Sequence, residues 1–254
     1  MDLEGAVAVV TGGGTGIGRA VCESLARAGA RAIVVNYSRS RDEAEATAAA
    51  LEKRGCTALP HQASVADDAA VRAMVAEAES RFGRLDVLVS NAGTTHFIPH
   101  PDLDALTEEV WDELLSVNLK GTFYCARAAA PALRRTRGAI VNVASIAGLR
   151  ASGSSIAYCV SKAGVIQLTR NLALALAPEV RVNCVAPGLV ATRWFRTRFG
   201  EQSAADQEER MAASTPLGRV ATPEDVAQAV MGFVASDMVT GECVIVDGGR
   251  HVAY

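Results

Sequence analysis

Short, largely apolar runs alternate along this chain with longer segments in which apolar positions recur every three or four residues. The runs are AVAVVT (6–11), RAIVVN (31–36), CTALPHQA (56–63), LDVLVS (85–90), GAIVNVAS (138–145), VRVNCVAP (180–187) and ECVIVDGG (242–249), and each reads as a strand. Helices are predicted in IGRAVCESLARAGA, ending at Gly29, in DEAEATAAALEKRG, in DDAAVRAMVAEAESRFG, from about 107 to 133, and around Tyr158 and Lys162. Strands that are apolar throughout are buried on both faces, which a parallel sheet between two helical layers provides. The expected fold class is α/β, a doubly wound sheet of about seven parallel strands forming one domain over 1–254. Ligands of such sheets bind at the carboxyl ends of the strands. The polar, arginine-rich stretch 192–219 breaks the rhythm and is read as an insertion on that edge. Within it Arg193, Arg196 and Arg198 read as solvated, and Trp194 and Phe195 as an apolar lid.

Composition narrows the classes. Half of the 254 residues are hydrophobic and 21% are charged, enough to fill one core and too apolar for disorder. The net charge of −3, without a basic run, argues against nucleic acid or an anionic membrane as the partner. Six cysteines, at 22, 56, 125, 159, 184 and 243, contain no CxxC pair, so neither a zinc site nor a disulfide framework is expected. MDLEGAVAVV is too short an apolar entry for a signal peptide or a membrane span, and the expectation is a soluble, cytoplasmic protein. His96 and His100 are four apart, but Pro99 between them argues against a helix, and no metal is expected.

TGGGTGIG (11–18) follows the first strand and opens the first helix. Glycine at 12, 16 and 18 permits a tight turn, close approach of a pyrophosphate and close helix packing, with the helix N-terminus facing the anion. A site for NAD usually presents a carboxylate to the adenosine ribose about 20 residues later. Here the second strand ends in NYSRS, with Asn36 where the acid is expected and no acid before Asp42. Ser38 and Arg39 suit a 2′-phosphate instead, so NADP(H) is expected, with NAD(H) as the alternative.

SSIAYCVSKAG (154–164) sets Tyr158 and Lys162 one helical turn apart on one face. By itself that pair reads as a solvated lysine beside a half-buried aromatic. Cys159 points about 100° away from Tyr158 on the helix and reads as packing.

The motifs TGxxxGxG (Thr11 to Gly18), NAG (Asn91 to Gly93), the asparagine of SVNLKG (Asn118), the serine of VNVAS (Ser145) and YxxxK stand in order. Pro187-Gly188, Thr192 and VTGECVIVDGG follow them. Together they resemble the short-chain dehydrogenase/reductases, over nearly the whole chain. That resemblance implies a Rossmann fold and hydride transfer between a nicotinamide and a ketone or secondary alcohol. It implies a catalytic tetrad of Asn118, Ser145, Tyr158 and Lys162. Tyr158 would exchange the proton, Lys162 would hold the ribose and, with an oxidised nicotinamide nearby, lower the phenol's pKa, Ser145 would bind the carbonyl, and Asn118 would hold a water leading to Lys162. Bringing the phenol from about 10 to about 7 requires on the order of 4 kcal/mol.

For the cofactor the resemblance implies Gly12, Thr15, Gly16, Ile17 and Gly18 at the pyrophosphate and Asn36, Tyr37, Ser38 and Arg39 at the ribose. Ser64, Val65, Asn91, Ala92 and Gly93 would lie on the adenosine side, and Pro187, Gly188, Val190 and Thr192 beside Tyr158 and Lys162 at the nicotinamide end. There are departures: Ser64 where an aspartate is frequent, Ser90 before NAG where an asparagine is frequent, and Thr15 where many NADP-dependent members carry a basic residue.

NYSRS and the C-terminal motif look like bacterial 3-oxoacyl-[acyl-carrier-protein] reductases. Arg134, Arg135 and Arg137 are candidates for docking a carrier protein, while Pro178 and Glu179 speak against it. A homotetramer is implied by resemblance alone. The competing class is a dinucleotide sensor that keeps the fold without the chemistry.

Overall fold

All seven apolar runs form strands, and they lie in one sheet. They are β1 (Val7–Val10), β2 (Ala32–Tyr37), β3 (Thr57–Gln62), β4 (Val87–Ser90), β5 (Ala139–Val143), β6 (Arg181–Pro187) and β7 (Cys243–Val246). This computed structural model describes residues 1–192 and 200–253. Arg193, Trp194, Phe195, Arg196 and Arg198 lie outside the described residues. Every pairing is parallel, in the order β3-β2-β1-β4-β5-β6-β7. The order reverses between β1 and β4, which opens a crevice above their carboxyl ends. β1 and β4 are buried along their whole length, whereas β3, at the sheet edge, is half exposed. That edge position explains its polar content and accommodates Pro60, which has no N–H to offer a neighbour.

Helices cover both faces: α1 (Gly16–Arg27), α2 (Arg41–Glu52), α3 (Asp68–Phe82), α4 (Glu108–Leu114), α5 (Gly121–Thr136), α6 (Ile156–Leu176), α7 (Glu201–Ala213) and α8 (Pro223–Ala235). On one face Val10, Val35 and Val89 pack with Leu25 of α1 and Val226 and Phe233 of α8. On the other, Val9, Leu88 and Ile140 pack with Met74 of α3, Leu133 of α5 and Leu172 of α6. No helix among the described residues is long and apolar enough to cross a membrane.

Three features differ from expectation. The predicted helix 107–133 is broken by a π-helical turn at Leu115–Lys120 and runs on to Thr136. Helix α8, not expected above, is signalled by apolar residues Val226, Ala227, Val230, Phe233 and Val234 on one face, and its start is written in TPED. Thr222 and Asp225 exchange the side-chain-to-backbone bonds of a capping box around Pro223. Finally, Arg134, Arg135 and Arg137 sit at the wrong end of the sheet for guarding the crevice. The end of α5 lies beside the amino ends of the strands, where Thr136 Oγ1 donates to the Leu85 carbonyl (2.7 Å) and Ala139 N to that of Asp86 (2.9 Å). There Arg134 pairs with Glu179 and Arg135 with Glu79.

Candidate active site

The glycine turn rises from β1 and is held from three sides. Gly12 has a φ of +62°, and a side chain at Gly18 would overlap the Gly12 carbonyl, so α1 starts in direct contact with the turn. Thr15 flanks α1 without capping it through its side chain, which leaves first-turn N–H groups facing the crevice. Ile17 is partly buried, its side chain packed against the core at the start of α1. Across the crevice, a β-carbon on Gly16 would stand 3.4 Å from the methyl of Thr192. The glycine turn and the loop after β6 therefore meet.

Asn36 does not face the crevice. It is buried; its Oδ1 accepts from Gly12 N (3.3 Å), and its Nδ2 donates to the carbonyls of Ala63 (3.0 Å) and His61 (3.3 Å). It therefore braces the glycine turn against β3. Tyr37 is buried too, with the Arg41 guanidinium 5.7 Å from its ring centre. Of the NYSRS turn, Ser38 and Arg39 are the exposed pair, and Arg39 forms no ion pair with a described residue. Ser64 is exposed and accepts from Ala66 N, whereas Val65 is buried where α5 begins, within 3.0 Å of a β-carbon built on Gly121.

Asn91 and Ala92 join β4 to β1: both backbone N–H groups donate to Thr11 Oγ1 (2.9 and 3.0 Å), and Asn91 Nδ2 donates to the Thr11 and Gly12 carbonyls. Gly93, expected on the adenosine side, instead lies at the other end of the crevice. A β-carbon there would sit 3.3 Å from Asn118 Oδ1 and 3.5 Å from Lys162 Nζ. The Ser90 departure has a consequence. Ser90 and Asn142 are register partners on β4 and β5, and Ser90 Oγ and Asn142 Oδ1 are buried with no partner among the described residues.

Tyr158 and Lys162 do share a face near the start of α6. Ser155 sets that start, its hydroxyl accepting from Tyr158 N at 3.2 Å. Lys162 Nζ lies 5.8 Å from the centre of the half-buried phenol ring and donates to the Val143 carbonyl at 2.9 Å. Ser145, after β5, caps the short turn Ile146–Gly148, accepting from Ala147 N at 3.2 Å.

The electrostatics differ from expectation. Enclosure by the protein pushes the Tyr158 phenol up to about 12, with the Ser145 hydroxyl pulling it part of the way down. The same burial brings Lys162 down to about 8. Lys162 does not contribute to this shift; its ammonium donates to the Val143 carbonyl, and the expected lowering of the phenol called for an oxidised nicotinamide beside it as well.

Asn118 lies in the π-helical turn, 1% exposed. Its Oδ1 accepts from Thr94 N (2.9 Å), and its Nδ2 donates to Thr94 O (3.1 Å) and Ser161 Oγ (3.0 Å). Its side-chain amide thus ties the loop after β4 to α6, and its carbonyl accepts from Thr122 Oγ1 (2.7 Å). Sequence reasoning missed Ser161 and Thr94. Ser161 stands in plain view before Lys162, but nothing in the sequence tells that its hydroxyl turns inward.

At the remaining end, Gly188 N donates to the Val246 carbonyl (3.0 Å), and Gly188 has no room for a side chain against Asp247. Val190 is buried and bridges to Ala221. His96 Nε2 contacts Glu113 Oε2 at 2.8 Å, and no metal-binding cluster exists among the described residues.

Residues 12–251 match the family described as enoyl-(acyl carrier protein) reductase. A ketoacyl reductase of the granaticin polyketide synthase of Streptomyces violaceoruber is 48% identical over 98% of this chain and 97% of its own. A 3-oxoacyl-[acyl-carrier-protein] reductase of Staphylococcus aureus is 38% identical over 96% of this chain and 98% of its own. Among solved structures, a short-chain dehydrogenase/reductase from Burkholderia xenovorans superposes with a TM-score of 0.90 at 35% identity, covering 97% of this chain and 98% of that one.

Proposed function

Since the chain belongs to the short-chain dehydrogenase/reductase family, oxidoreductases that act on ketones or alcohols with a nicotinamide dinucleotide, we propose that it is an NADP(H)-dependent ketoreductase for a 3-oxoacyl thioester. The observation that carries this reading is the meeting of Tyr158, Lys162 and Ser145 at one end of a crevice whose other end is the glycine turn.

The residues fit a dinucleotide. Gly12 and Gly18, with no room for side chains, hold the turn tight against α1, and the start of α1 offers N–H groups to a pyrophosphate. Gly12, Thr15, Gly16 and Gly18 would hold the pyrophosphate, Lys162 the nicotinamide ribose, and Gly188, Val190 and Thr192 the carboxamide end. When bound, the cofactor supplies the hydride. The preference for NADP(H) rests on Ser38 and Arg39, exposed after β2 with no carboxylate beside them to repel a 2′-phosphate.

In reduction the substrate carbonyl lies between Ser145 and Tyr158. The Ser145 hydroxyl donates to the carbonyl oxygen as negative charge grows on it. A phenol held near 12 is fully protonated at neutral pH and gives its proton to that oxygen. Lys162, poised near 8, is still mainly an ammonium at pH 7 and would hold the nicotinamide ribose, while the Ser145 hydroxyl favours the phenolate left behind. The 3-oxoacyl assignment rests on the two ketoacyl reductases to which this chain is similar along its length. Arg134, Arg135 and Arg137, far from the crevice, do not support a carrier protein docking through them.

The test is a 340 nm assay with NADPH and NADH, each against a panel of ketones that includes acetoacetyl thioesters. Efficient NADPH-dependent reduction of the thioesters is expected. Equal or better use of NADH removes the cofactor assignment, and preference for a sugar or steroid ketone removes the substrate assignment.

A further inference from the structure

Two cysteines that take no part in this chemistry face each other across the last strand pair. Cys184 on β6 and Cys243 on β7 are register partners, and Cys184 N donates to the carbonyl of neighbouring Glu242 at 2.8 Å. Register partners on parallel strands point their side chains to the same face. Both thiols are free; that of Cys184 donates to the Val185 carbonyl at 3.5 Å. Adjacent strands stand about 4.8 Å apart, inside the roughly 4.4–6.8 Å range of Cα separations that a disulfide spans.

The two thiols are not equivalent. Cys184 is fully buried among Ala144, Val165 and Ile166, while Cys243 is partly exposed at the head of the edge strand β7. The neighbouring Cys184 thiol and the guanidinium of Arg170 favour the thiolate at Cys243, against partial burial and the adjacent Glu242 carboxylate, and the balance lowers its pKa. Partly exposed cysteines whose pKa is lowered are the reactive ones. Burial and the partner thiolate hold Cys184 protonated. Lys162 is close enough for its charge to act on Cys184.

We propose that Cys184 and Cys243 form a redox-active pair that low-molecular-weight disulfides close into a disulfide next to the candidate active site. The Cys243 thiolate attacks one sulfur of oxidised glutathione. The glutathione S–S bond breaks, a mixed disulfide forms, and one glutathione leaves and takes up a proton. Cys184 then loses its proton and attacks Cys243 Sγ, and the second glutathione leaves. Two protein thiols are oxidised by two electrons, and one glutathione disulfide becomes two thiols. Pairs of this kind in reducing compartments act transiently as sensors rather than as permanent staples.

The experiment exposes the full chain to oxidised glutathione, quenches it with iodoacetamide and reads intact mass and peptide maps. The expected result is two fewer alkylated thiols, a Cys184–Cys243 cross-linked peptide, and full reversal by dithiothreitol. Cys243→Ser should abolish the loss of thiols, and Cys184→Ser should trap one glutathione on Cys243. A stable mixed disulfide at Cys243 in the wild type with Cys184 still alkylated, a cross-link between other cysteines, or six alkylated thiols throughout would each overturn the proposal. These readouts need no turnover, so they stand apart from the test of the ketoreductase assignment.

Discussion

Asn118 Nδ2 donates to Ser161 Oγ at 3.0 Å, and Ser161 Oγ in turn donates to the Tyr158 carbonyl at 2.8 Å. The π-helical turn is thereby tied to the first turn of α6, which carries both Tyr158 and Lys162. A π-helical turn places one extra residue in the helix and re-aims its side chains, and such turns concentrate at functional sites.

Ser161→Ala leaves the buried Asn118 amide with an orphaned donor, at a cost of about 1–3 kcal/mol. Urea melts should show that loss, and turnover should fall by roughly tenfold, a barrier rise of about 1.4 kcal/mol. In an Asn118→Ala background the same substitution should have little further effect on turnover. Full additivity would mean that the two residues act separately.

Tyr158→Phe removes the proton donor and leaves the ring. Turnover should fall by roughly 10²–10⁴-fold with NADPH binding, followed by nucleotide fluorescence, nearly unchanged. An unchanged rate would favour a different donor.

Arg39→Ala should weaken NADPH by about 1.5–3 kcal/mol, or roughly ten- to hundredfold in its KM, and leave the KM for NADH within about twofold. Equal losses for both cofactors would show that Arg39 does not read the 2′-phosphate.

The depressed pKa of Lys162 makes it a cost to the fold. Its folded value is about 8 against an ordinary 10.5. Between those values the unfolded chain binds more protons, so stability rises with pH across that window, and the penalty is fully present below pH 8. Lys162→Met should therefore raise stability at pH 7 by up to about 3 kcal/mol. The gain should shrink toward pH 10, and turnover should be lost. Paired urea melts at the two pH values check the sign.

The sequence by itself determined the layers and the candidate chemistry. Runs apolar throughout, such as VAVV of β1 and VLVS of β4, can only be buried on both faces, so a parallel sheet covered by helices followed from burial alone. Glycine positions and the Tyr158–Lys162 spacing were equally legible, because turn sterics and helical period act over a few residues. The tertiary structure decided what depends on contacts between distant segments. It turned Asn36 inward as a brace, moved Gly93 to the lysine end, and carried Arg134, Arg135 and Arg137 to the amino end of the strands. Desolvation likewise belongs to the assembled protein: it raises the phenol of Tyr158 and lowers Lys162 because both are enclosed by residues remote in the chain.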